Sequence, residues 1–104
     1  MDIIRLRRAV AAGRVQWRMH ALKRLMERNI KRETVLDAVT NGEQIEDYPQ
    51  DKPYPSALFF GWHNDTPIHV VVALDEQNLY AYIITVYEPN LDEFKEDYKT
   101  RRKV

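Results

Sequence analysis

The chain has 104 residues, a mass of 12.4 kDa, 44% hydrophobic and 31% charged residues, and a formal net charge of zero. That is one domain's length with enough apolar content for a single core, which excludes a disordered chain. No apolar run approaches the roughly 20 residues of a membrane span, and the absence of cysteine excludes disulfides, thiol catalysis and thiolate metal sites.

The neutrality hides a polarised sequence. Residues 1–33 carry ten Lys/Arg against three Asp/Glu, whereas residues 34–98 carry two against thirteen. Four more basic residues, Lys99, Arg101, Arg102 and Lys103, close the chain. Such a chain can show a basic face to phosphates, or it can compensate one half with the other. The start lacks the basic-then-apolar order of a secretory signal, so the expectation is a soluble cytoplasmic domain.

In chain order, Ile3, Leu6 and Val10 give residues 2–12 a helical stripe that Gly13 stops. Residues 18–29 repeat it with Leu22, Leu25 and Met26 on one side. Residues 32–41 form a third helix, poorly capped by Lys31 and ended by Asn41-Gly42. From there the period shortens. Gln44–Tyr48, Ala57–Trp62, Ile68–Leu74 and Leu79–Tyr87 read as strands, with a Pro-rich connector at 49–55 and turns at 63–67 and 75–78. Asn90, with Glu93 three residues on, predicts a capped C-terminal helix. The expected fold is α+β: N-terminal helices packed on an antiparallel sheet of about four strands, then a helix.

His20, Arg24 and Arg28 recur every four residues and fall within an arc of about 80° on one helix. An imidazole between guanidiniums suits RNA chemistry, because the cations hold phosphate and the imidazole moves a proton near neutral pH. A solvated basic face satisfies the same spacing, and spacing alone leaves both readings open. Thr85 and Tyr87 share a face of the last strand, where a tyrosine either meets phosphate or packs with a wet tip. His69, inside an apolar strand, reads as a hydrogen-bonded core histidine rather than a metal ligand with His63. Arg14, Arg18, Lys23 and Lys31 complete the basic set expected to contact nucleic acid. No metal or cofactor is expected.

The run His20-Ala21-Leu22-Lys23-Arg24-Leu25-Met26-Glu27-Arg28-Asn29-Ile30 resembles the H-A-x-x-R-x-x-E-R-x-I signature of the bacterial family "domain of unknown function 4258". Segments 42–49, 53–56, 67–71 and 84–89 agree with that family in order, so the resemblance covers about residues 15–90. Lys31 departs from it, standing where a small capping residue is expected. The resemblance implies kinship with RelE/ParE-like toxins, an activity of metal-independent mRNA cleavage, and an MqsA-like zinc-finger antitoxin as partner. It implies His20 as general base or acid, Arg24 and Arg28 as stabilisers of phosphorane-like charge, and Tyr87 as an orienter of phosphate or aid to proton transfer. RNA or the ribosome would be the target, and a homodimer is compatible with the aromatic sheet surface. The alternative is a non-catalytic module that binds nucleic acid or protein.

Overall fold

Helix α1 (Ile3–Ala11) starts where the Asp2 carboxylate accepts from the backbone N–H of Arg5, 3.2 Å away. It buries Leu6, Ala9 and Val10. Gly13, at φ +74°, turns the chain into a short strand, β1 (Val15–Trp17). Helix α2 (Met19–Arg28) is capped by Asn29 in the left-handed conformation, and α3 (Arg32–Asn41) follows after a three-residue link. As its sequence suggests, α3 begins at Lys31 without a side-chain cap. Strands β2 (Glu43–Tyr48), β3 (Ser56–His63), β4 (Thr66–Asp75) and β5 (Tyr80–Tyr87) complete the regular structure. The computed structural model describes residues 1–103.

The fold is α+β, with three helices and a five-stranded mixed sheet in the order β1-β5-β4-β3-β2. The sheet therefore has one strand more than the sequence predicts and is not purely antiparallel. β1 pairs parallel with β5 through Val15–Trp17 and Ala81–Ile83. Three residues are too few to show a period of two, which is why the strand is silent in the sequence. β3 and β4 are buried on both faces. One face meets the helices through Phe59, Ile68, Val70, Val72 and Leu74.

The expected C-terminal helix does not form. The Asn90 side chain does accept from the N–H groups of Asp92 and Glu93, and Phe94 closes one turn on the Asn90 carbonyl. The chain then reverses, because Asp97 accepts from the N–H groups of Lys99 and Thr100 and Tyr98 sits at φ +60°. Phe94 pairs with Arg101 in an isolated bridge and is fully buried. Residues 89–103 thus form a strap over the sheet face that the helices leave uncovered. Arg101 pairs with Glu46 at 2.7 Å, Lys99 pairs with Glu43 at 3.0 Å, and the Tyr98 carbonyl meets His69.

Gly42 ends α3 for want of space rather than for a left-handed turn. Its φ is −80°, and a Cβ there would stand 2.1 Å from the Ala38 carbonyl oxygen and 2.3 Å from that of Phe60. The close approach of α3 to β3 needs that gap.

Candidate functional site

The register of β5 shifts where it passes β4: Val72 pairs with Ile83 but Val71 with Thr85, leaving Ile84 as an extra residue. The bulge exchanges the faces of the strand. Ala81, Ile83 and Val86 enter the core under the helices, and Thr85 and Tyr87 lie on the other parity. β1 pairs only as far as Ile83, and the last tie on that side is Arg18 N–H to the Ile83 carbonyl at 3.0 Å. Beyond it the edge of β5 has no strand neighbour.

α2 runs along this open edge. Its Ala21 and Leu25 are buried, and His20, Arg24 and Arg28 turn toward the end of β5. Together with Thr85, Tyr87, Glu88, Asn90 and Glu93 they line an open cleft of about 460 Å³. The structure therefore brings the helical triplet and the strand pair, separated by more than fifty residues, into one place. The acidic wall was not foreseen. Arg28 Nη1 lies 3.5 Å from Glu88 Oε1, both side chains substantially exposed. Glu93 approaches Arg101 at 4.0 Å. The cations of α2 therefore face two carboxylates, and only the position of Glu88 at a strand end could have hinted at this.

The Tyr87 hydroxyl is committed. His69 is fully buried, and its Nε2 lies 2.6 Å from the Tyr98 carbonyl, which can only accept. Nε2 therefore carries the proton, and Nδ1 accepts from Tyr87 Oη at 3.2 Å. Burial lowers the His69 pKa and keeps the ring neutral, consistent with that tautomer. Burial also pushes the Tyr87 phenol up to about 12. His69 is the hydrogen-bonded core histidine its strand context implied. It packs edge-on against Phe94, with ring centroids 4.5 Å apart.

The remaining basic residues do not join the cleft. Arg14 clamps the β4–β5 turn by donating to the Leu79 and Asn78 carbonyls at 3.1 and 2.8 Å, and stacks over Tyr80 at 4.2 Å. The Arg18 guanidinium lies 5.4 Å from the Tyr82 ring. Lys23 is exposed on α2. Lys31 lines a separate depression with Thr34, Trp62, His63 and Asn64.

Residues 17–88 match the family described as Domain of unknown function (DUF4258). The chain belongs to this family. The matched segment of the DUF4258 domain runs from the end of β1 to Glu88, so it contains α2, all of β5 and most of the cleft lining. The strap from Pro89 onward lies outside it. No curated protein and no solved structure matches the chain. No helix among the described residues is long and apolar enough to cross a membrane.

Proposed function

We propose that this DUF4258 domain acts on RNA in the cytoplasm, as a metal-independent endoribonuclease of the RelE-like toxin kind, with the α2–β5 cleft as its active site. The observation that carries the reading is the meeting of His20, Arg24 and Arg28 with the end of β5 in one open cleft. An open, edge-of-sheet position suits a polymer that must pass through rather than be enclosed. Arg24 and Arg28 hold the scissile phosphate and neutralise the charge that grows on it. His20 takes the proton of the neighbouring 2′-hydroxyl, whose oxygen attacks phosphorus as the bond to the 5′-oxygen breaks. The leaving oxygen takes a proton from solvent, and the products are a 2′,3′-cyclic phosphate and a 5′-hydroxyl. Tyr87, its hydroxyl held by His69, serves as a fixed wall and not as a proton donor. An antitoxin, of the zinc-finger type that the family resemblance implies, is the partner this reading requires.

A second reading, a non-catalytic module that binds nucleic acid or an acidic partner, draws support from the Arg28–Glu88 pair and the committed Tyr87 hydroxyl. One experiment separates them. The purified protein is incubated with single-stranded RNA in chelator, and the ends are analysed. Cyclic-phosphate ends that fall by about 10²-fold or more in His20→Ala and Arg24→Ala, with unchanged circular dichroism, support the nuclease. Salt-sensitive binding with intact RNA supports the module. Neither binding nor cleavage removes RNA from the account.

A further inference from the structure

Helix α2 carries more apolar surface than the core uses. At 100° per residue, Ala21, Leu25, Leu22, Met26 and Met19 span an arc of about 160°. The core takes Ala21 and Leu25, 0% and 6% exposed, whereas Met19 and Met26 stand 81% and 83% exposed. Leu22 is half-buried between them. Leu22, Leu25 and Met26 face Asn29, Ile30 and Arg32 across an open groove of about 340 Å³. Two methionines and a leucine at i, i+3 and i+7 in water form a contact face that the fold leaves unmatched. Methionine also adapts its shape to whatever covers it.

The rim of this face is cationic. Arg32 lines the groove and Lys23 follows Met19 around the helix, and neither forms an ion pair among the described residues; the Arg32 guanidinium lies 5.6 Å from the Trp17 ring. By contrast Arg28, Lys99 and Arg101 all have carboxylate partners. Glu27 is the one carboxylate on α2. The apolar stripe from Met19 to Met26 is about 10 Å long, or two helical turns.

We infer that this groove seats an acidic amphipathic helix of a partner chain. Its apolar side chains cover Met19, Leu22 and Met26, and its carboxylates lie over Lys23 and Arg32. The groove occupies the flank of α2 opposite Arg24 and Arg28, so the partner docks without entering the cleft. The inference does not depend on whether the cleft cleaves RNA.

The chain has three methionines, Met1, Met19 and Met26, which gives a direct test on the 104-residue chain labelled with ¹³C at the methionine methyls. Met1 is tied to Asp47 on β2, at the opposite edge of the sheet order, and serves as the internal control. The probe is a synthetic helix about five turns long with a leucine stripe and glutamates elsewhere; its counterpart carries lysines instead. The expected result is a shift of the Met19 and Met26 signals but not of Met1, with micromolar affinity. The lysine peptide binds about tenfold more weakly or less at low salt. Met19→Lys with Met26→Lys, and separately Lys23→Glu with Arg32→Glu, each lower the affinity about tenfold. All four side chains are exposed, and circular dichroism verifies that the variants fold. Absence of shifts at millimolar peptide, or equal shifts from the lysine peptide, overturns the inference. So does a concentration-dependent shift without peptide, which would assign the face to a second copy. A shift of the same methyls by an RNA oligonucleotide overturns it too.

Discussion

The Tyr87 hydroxyl donates a hydrogen bond to His69 Nδ1 across 3.2 Å, and His69 Nε2–H donates to the Tyr98 carbonyl at 2.6 Å. Three consecutive segments (β4, β5 and the strap) are thereby joined through one buried ring. The groups facing that ring are Tyr87, Glu46, Arg101 and the aromatic rings of Phe60 and Phe94. Burial dominates and lowers its pKa from the ordinary 6.5, so the native protein resists a proton that the unfolded chain accepts. Stability contributed by the neutral ring is complete above the unfolded value of 6.5 and falls as pH drops below it. Urea unfolding across that range measures it. His69→Phe should flatten the acid slope, and His69→Ala should cost on the order of 3 kcal/mol by leaving the Tyr98 carbonyl and a cavity unfilled.

Burial acts at the alkaline end as well. It pushes the Tyr87 phenol up to about 12, from an ordinary value of 10.0. A raised pKa stabilises the fold while both states are protonated, and the contribution is lost as pH rises from about 10 to about 12. Tyr48, partly buried and hydrogen-bonded to Glu46, is raised as well. Tyr87→Phe should therefore remove part of the alkaline loss and one late-titrating phenol from the ultraviolet difference spectrum. An unchanged count of late phenols would show that burial does not raise Tyr87.

Gly61 is required by its neighbour in α3. A Cβ at that position would lie 2.5 Å from Ala38 Cβ and 2.9 Å from Ala38 Cα, inside any real contact distance. Gly61→Ala should therefore destabilise by about 1–3 kcal/mol by pushing α3 off β3. Ala38→Gly relieves part of the contact at a helix-propensity cost of about 1 kcal/mol. In a double-mutant cycle by chemical denaturation, the coupling between the two changes should be favourable and of order 1 kcal/mol.

Sequence periodicity located α1, α2, α3 and the four longer strands, because each buries a stripe long enough to repeat. What it could not locate were features set by pairing rather than by pattern. β1 is three residues beside β5, and the Ile84 bulge is one extra residue with an ordinary side chain. Asn90 and Glu93 had the spacing of a helix start, but Asp97 and the buried Phe94 folded the segment back on itself. Spacing puts Met26 on the side of Leu22 and Leu25, yet on α2 the core takes only Ala21 and Leu25. The alignment of His20, Arg24 and Arg28 was legible. Their position opposite Thr85 and Tyr87 depends on the bulge and on the shortness of β1, neither of which composition or period reveals. Glu88 and Glu93 entered the site for the same reason.

Those carboxylates set the last expectation. Glu88 competes with any phosphate for Arg28, since their 3.5 Å pair must open before the guanidinium can turn to RNA. Both partners are exposed, so the pair itself adds little to stability and Glu88→Gln should leave the unfolding midpoint nearly unchanged. Removing the charge frees Arg28 and reduces repulsion of the backbone, so affinity for single-stranded RNA should rise about threefold to tenfold at low salt. Arg24→Ala should act oppositely, weakening binding and reducing the slope of log affinity against log salt by about one phosphate's worth. Filter binding or fluorescence anisotropy over a salt series measures both. If Glu88→Gln and Arg24→Ala leave affinity and slope unaltered, RNA does not enter by the α2–β5 cleft.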